Sequence, residues 1–252
     1  MINENLHKKA VALDRVKHRD TKLALNTRDL TTVGALNAFF VAGTEFTDAC
    51  KEYPVVWVKA GERADGKPQV APIAVFGLVA GQNLCIDGDA WRVRYVPAAL
   101  RLYPFGLARV QQDQMVVCID ESWPGFQETE GEALFNAQGE PTDFTKGVQQ
   151  QLETFELEVE RTRLAGEVLV DKGLLRDMRF DATLPDGNKL TVDGFLTVDD
   201  EKLAALSDAD VVAMQRNGLL GLIHAHQISL GNMARLVEWH VARLGSTPAA
   251  TA

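Results

Sequence analysis

The chain has 252 residues, 46% of them hydrophobic, enough to bury a core as one large domain or two small ones. A formal charge of -9 and a pI near 5.1 exclude a protein whose whole surface grips nucleic acid, because phosphate binding needs concentrated Lys and Arg. The opening MINENLHKKAVALD has no apolar stretch ending in small cleavage residues, and no run reaches the roughly 18 apolar residues that cross a bilayer. Neither a secretory signal nor a membrane span is expected. Cys50, Cys85 and Cys118 are odd in number and far apart, which suits neither a disulfide framework nor a zinc knuckle. Reduced thiols in a cytoplasmic protein are the expectation.

In chain order, residues 1–20 are charged and read as an irregular arm. Residues 21–135 read as β-rich: TTVGALNAFFV, YPVVWVKA, PQVAPIAVFGLVA, NLCID, WRVRYV and MVVCID are separated by Gly, Pro and Asp. After Pro141 the pattern changes, with Phe144, Val148, Leu152, Phe155 and Val159 at helical spacing; this predicts an amphipathic helix to about Lys172, stopped by Gly173. Met178, Phe180, Ala182 and Leu184, then Leu190, Val192, Leu196 and Val198, predict a β-hairpin turning around residues 185–188. Ser207 followed by Asp210 resembles a capping box for a helix through Arg216. A stripe from Leu219 to Leu244 through His226 and Met233 predicts one final helix, and residues 245–252 a disordered tail. The expected fold is a single α+β domain over 21–244. A mainly antiparallel β region would pack against a helix, hairpin and helix over 142–244.

Several motifs suggest chemistry and fail on inspection. GERADGK, residues 61–67, matches a phosphate loop until Pro68 stands where Ser or Thr must hold magnesium; extended chain follows instead of a helix. It reads as a hairpin loop. HRD at 18–20 lacks the rest of a kinase catalytic loop, and as an iron-binding His-x-Asp it lacks a placed distal histidine. HAH at 224–226 lies on a predicted helix, where two residues mean about 200° of rotation, so one metal cannot take both rings. His226 falls on the apolar stripe and reads as a core histidine satisfied by neighbours such as Ser229. No G-x-S-x-G elbow is present, and Asp87, Asp89, Asp199 and Asp200 read as turn formers. Neither a metal nor another cofactor is expected.

WRVRYVPAALRLYPF, residues 91–105, is the most distinctive stretch, because Ala90 to Val110 holds four arginines and no acidic residue. As a strand, WRVRYV would place Trp91, Val93 and Tyr95 on one face and Arg92 and Arg94 on the other. Pro97 would begin a short turn carrying Arg101, stopped by Pro104. Guanidiniums at such a rim suit carboxylates, phosphates or peptide backbone. Equally, they can pair with the chain's own surplus of Asp and Glu while the rings merely pack.

The order ACKEYPVVW, GLVAGQNLCID, WRVRYVPAALRLYPF, CIDE, GFLTVDDEKLAALSD and HAHQISLGNMARL resembles the SapC family of bacterial proteins from about Thr44 to Leu236. Its W-x-x-x-Y-[IV]-P-A-x-x-R-x-Y-P-F pattern matches Trp91, Tyr95, Pro97, Arg101, Tyr103, Pro104 and Phe105. Its A-H-x-x-S-x-G-N pattern matches Ala225, His226, Ser229, Gly231 and Asn232, while His224 stands where Tyr is usual. The resemblance implies association with surface-layer loci and with neighbours resembling tryptophan halogenases, oxygenases or TonB-dependent receptors, and it brings no catalytic residue set. The expected role is a non-enzymatic accessory protein that binds a peptide, protein or small anionic ligand through Trp91, Arg94, Tyr95, Arg101, Tyr103 and Phe105, with His226 as a further candidate. An oxygenase-like or peptide-modifying enzyme using His226, and a structural surface-layer component, are the alternatives.

Overall fold

The computed structural model describes residues 2–246 except 26, 28, 112, 113 and 186. Its elements begin with β1 (Ala10–Ala12), β2 (Lys22–Leu23), α1 (Thr31–Gly34), β3 (Ala38–Phe40), α2 (Phe46–Glu52), β4 (Val55–Glu62) and β5 (Pro68–Val75). The middle of the chain holds β6 (Ile86–Asp87), β7 (Ala90–Trp91), α3 (Ala98–Leu102), β8 (Phe105–Gln111), β9 (Gln114–Asp120), β10 (Phe126–Gln127) and β11 (Glu132–Ala133). Then come α4 (Asp143–Asp171), β12 (Leu175–Thr183), β13 (Lys189–Val198), α5 (Asp200–Ala204), α6 (Asp208–Arg216), α7 (Leu219–Ser229) and α8 (Asn232–Ser246). This is an α+β fold of antiparallel strands and mainly C-terminal helices. No described helix is long and apolar enough to cross a membrane. Residues 247–252 of the tail expected to be disordered lie outside the described residues, and Gly245 and Ser246 close α8.

The contacts fall into two compact units, the first made of Met1–Val33, Gly88–Ala90 and Ala98–Leu157. Here β9 sits between β1 and β8, and β2 between β10 and β11. Leu23, Phe105, Leu107, Ile119 and Leu134 form the core with Leu152, and Phe144 and Val148 pack on it. The helical spacing after Pro141 therefore marks the core-facing stripe of α4, buried at Leu152 and half-buried at Phe144 and Val148. The segment read as an irregular arm is ordered: β1 pairs with β9 at Val11 and Ile119, and Leu6 is buried. Asp120 holds it in place, accepting the backbone N–H groups of Lys8 at 2.9 Å and Lys9 at 3.0 Å. The Asp120 carboxylate, itself fully buried, also accepts the Tyr103 hydroxyl at 2.9 Å and the Ser122 hydroxyl at 2.6 Å. Such charge-assisted bonds let a buried carboxylate stay ionised.

The second unit comprises Gly34–Asp87, Trp91–Pro97 and Glu158–Ala252. Its five-stranded antiparallel sheet runs β12-β13-β4-β5-β3, so β4 is central. Val56, Val75 and Phe195 bury against Met233 and Leu236 of α8. Against Val70 and Trp57, α4 approaches so closely that a Cβ on Gly166 would stand 2.9 Å from Val70 Cγ2 and 3.1 Å from the Val70 carbonyl oxygen. The helix ends at Gly173, whose φ of 63° suits glycine; Leu174 N–H reaches back to Leu169 O and Gly173 N–H to Val170 O, both at 2.9 Å. The GERADGK stretch is the β4–β5 hairpin loop: Arg63 N–H bonds Lys67 O, and the Arg63 side chain pairs with Asp65 and Asp171.

Residues 21–135 are β-rich as expected, with three short helices, α1, α2 and α3, set among the strands. In α2, Phe46 and Ala49 are buried three residues apart, as is Tyr53 just beyond it, a period visible only over a stretch too short to stand out. The single final helix is two helices. Ser229 Oγ donates to the His226 carbonyl at 2.5 Å, and the next backbone bonds tighten to i−3, from Leu230 N to Gln227 O and from Gly231 N to Ile228 O.

Gly147 and Gly166 both lie inside α4, yet a Cβ on Gly147 meets nothing within 4 Å. Urea denaturation should therefore show Gly147→Ala raising stability by about 0.5–1 kcal/mol through helix propensity. Gly166→Ala should lower it by about 1–3 kcal/mol, because the Val70 backbone cannot yield.

Candidate functional site

Only Ala90 and Trp91 of the expected strand pair as β-structure, and residues 92–97 follow without helix or strand. Burial still alternates: Arg92 and Arg94 are exposed, Val93 is buried, and Trp91 and Tyr95 are half-buried. In the second unit the rings are tied to one another. Trp91 Nε1 donates to Tyr53 Oη at 2.8 Å, Tyr53 Oη donates to the Tyr95 carbonyl, and Tyr95 Oη donates to Glu45 Oε1 at 2.7 Å. The other oxygen of Glu45 accepts Ala42 N–H at 2.7 Å, and Phe76 packs edge-on against both Tyr53 and Trp91. Burial pushes the Tyr53 phenol well above its ordinary range, so it stays a hydroxyl able to donate.

Arg92 pairs with Asp87 at 2.8 Å and lies over the Trp239 ring. Arg94, by contrast, has no hydrogen-bond or ion-pair partner among the described residues. In the first unit, Arg101 is exposed on α3, Tyr103 bonds Asp120 and packs against Trp123 and His7, and Phe105 is buried in the core. Of Trp91, Tyr95, Tyr103 and Phe105 only Phe105 is buried, and the seven candidates are divided between two units. Trp91, Arg94, Tyr95 and His226 belong to the second, and Arg101, Tyr103 and Phe105 to the first.

His226 has no exposed surface. The Val55 carbonyl lies 2.7 Å from Nδ1, while Val198 N–H donates to Nε2 at 3.1 Å and Thr197 Oγ1 stands 2.9 Å from it. A carbonyl can only accept and an amide can only donate. The ring is therefore the neutral tautomer protonated on Nδ1. Its nitrogens are satisfied by β4 and β13 rather than by Ser229, which takes Val55 N–H at 2.9 Å. Asn232 Nδ2 completes the pattern by donating to the Cys50 carbonyl at 2.8 Å and the Tyr53 carbonyl at 3.0 Å. Arg235 adds the Lys51 carbonyl at 3.2 Å and that of Glu52. The residues of the A-H-x-x-S-x-G-N pattern thus clasp one stretch of backbone, Cys50 to Val55.

His224 is exposed and, among the described residues, bonds Gln227, so the two histidines of HAH face apart. His18 of the HRD triplet is buried, accepting Asp14 N–H and donating to Glu121. Among the described residues no three His, Cys, Asp or Glu side chains come together as a metal site. All three cysteines are free thiols; burial raises each, Cys85 to about 12, which keeps them from acting as thiolates near neutral pH. Glu45, Tyr53, Asp120 and Arg235 were not singled out from the sequence. The signal available was place in the chain: Tyr53 stands inside the quoted ACKEYPVVW run and Glu45 four residues before it. A further feature of the second unit is a groove of about 590 Å³ among α2, α4 and the start of α7.

The SapC family model matches residues 13–236 of the chain. No curated protein and no solved structure matches it.

Burial holds the His226 pKa below its usual value, while the hydrogen bond to the Val55 carbonyl and, more weakly, the charge of Asp200 oppose the shift. The unfolded ring titrates near 6.5. The neutral-ring contribution is therefore complete above about pH 6.5 and lost as pH falls through the lower folded value, since only the unfolded chain takes the proton in between. His226→Ala should cost about 2–4 kcal/mol by orphaning Val55 O and Val198 N–H, and should flatten the stability slope just below pH 6.5. Urea melts at several pH values check both.

Proposed function

The chain belongs to the SapC family, and we propose that it works as an accessory protein that binds a peptide, a protein or a small anionic ligand through the exposed Arg94 guanidinium of the 91–105 segment. The observation that supports this reading is the sorting of side chains along that segment. Trp91, Tyr95 and Tyr103 spend their polar atoms on internal bonds, whereas Arg94 is exposed with no partner among the described residues. An exposed guanidinium with free planar donors is ready for a carboxylate, a phosphate or a backbone carbonyl.

A partner of the tryptophan-halogenase-like or TonB-dependent-receptor type and a cytoplasmic location complete the proposal. Three free, buried or half-buried thiols support a reducing compartment. His226 acts in this reading through the fold, by holding the Cys50–Val55 backbone that carries Tyr53.

Native mass spectrometry of the chain drawn gently from its own host tests the proposal. The wild type should carry a defined chain or anionic small molecule at fixed stoichiometry, and Arg94→Glu should lose it at an unchanged melting temperature. Retention in both Arg94→Glu and Arg101→Glu, or a stoichiometric metal lost with His226, would overturn it. Arg101→Ala, at an exposed position, should cost no more than about 1 kcal/mol in the same melts.

A further inference from the structure

The groove of about 590 Å³ in the second unit falls in the size range of small-molecule sites. Its walls are apolar, with Phe46 from α2, Leu164 and Val168 from α4, and Leu219 and Leu222 from α7. Protein interiors normally close such space. Here Leu164 remains 47% exposed although it lines the groove. Gly221 forms part of the wall with bare backbone, since a Cβ there meets nothing within 4 Å.

Charge at the groove is uneven. Among the described residues Glu158 and Arg161 are its charged lining side chains, and they pair at 2.6 Å through Oε1 and Nη1. Glu158 is largely buried and its charge is answered by that bond. The Arg161 side chain is 72% exposed, and its Nε and Nη2 have no partner among the described residues. Gly221 N–H likewise has no acceptor among them, because Leu219 N–H takes Asn217 Oδ1 and Leu222 N–H takes Gly218 O. Thr44 and Thr47 add exposed hydroxyls. Free donors therefore stand beside an apolar trough, an arrangement complementary to an anion joined to a hydrocarbon.

We propose that this groove binds an amphiphilic monocarboxylate, with its hydrocarbon chain or ring against Phe46, Leu164 and Leu222 and its carboxylate at Arg161. The site shares no residue with the segment 91–105, so either reading can fail without the other.

Titration calorimetry on the full chain, with decanoate, decanol and decylamine as probes below their aggregation limits, tests it. Decanoate should bind one to one and at least tenfold more tightly than decylamine. Gly221→Leu, which fills the groove from a helical position, should weaken decanoate at least tenfold with an unchanged or higher melting temperature. Arg161→Met should weaken decanoate and leave decanol unchanged. If Gly221→Leu does not fold, Leu164→Gln at its exposed position should show the same loss. Absence of saturable decanoate binding, equal affinity for decylamine, or decanoate binding unaffected by both groove variants would overturn the proposal.

Discussion

The turn of backbone from Cys50 to Val55 carries the chain out of α2 and into β4, the central strand of the five-stranded sheet. Strand pairing cannot satisfy all its polar groups, because this is where the strand begins. His226, Ser229, Asn232 and Arg235 supply the missing donors and acceptors from α7 and α8. Each such group left buried and unpaired would cost about 1–3 kcal/mol, so the clasp is a condition for the unit's central strand to start where it does. His226 also grips β13 at Val198, which fixes the neighbouring strand to the same point.

What depends on the clasp is the placement of the aromatic residues. Tyr53 lies inside the clasped stretch, and its hydroxyl links Trp91 to the backbone of Tyr95 while Tyr95 reaches Glu45. Two patterns far apart in the chain, one around residue 91 and one around residue 226, thus serve one structure through Tyr53. Residues that look chemical in the sequence are consumed by it: the histidine has no free nitrogen and the two tyrosine hydroxyls are bonded. The groups it leaves over are the exposed Arg94 guanidinium and the apolar groove lined by α7.

Long-period features were legible in the sequence. The stripe of α4, the alternation of β12 and β13 and the Ser207 cap each rest on local spacing, and Ser207 Oγ indeed accepts Asp210 N–H. His226 was legible as a core histidine because it sits on an apolar stripe. Its partners were not, since Val55 is 171 residues away and nothing local encodes that meeting. The break between α7 and α8 was hidden for a similar reason: the apolar stripe runs on through Leu230 and Met233, while the cause of the break is the hydroxyl of Ser229 turned back to His226. In residues 92–97 the alternation of burial was readable although the strand was not, because side-chain sorting does not require a neighbouring strand. The groove left no mark in sequence, being assembled from three short stretches of small and apolar residues.

Nitrogen-15 NMR of the imidazole rings, with the His226 signals assigned by their absence in a His226→Gln variant, tests the clasp most directly. A ring protonated on Nδ1 only, with Nε2 an acceptor and a titration midpoint below the roughly 6.5 of a free histidine, is the expected result. A ring protonated on Nε2, or one that titrates at or above about pH 6.5 like a solvated histidine, would mean that His226 does not hold the Val55 and Val198 backbone.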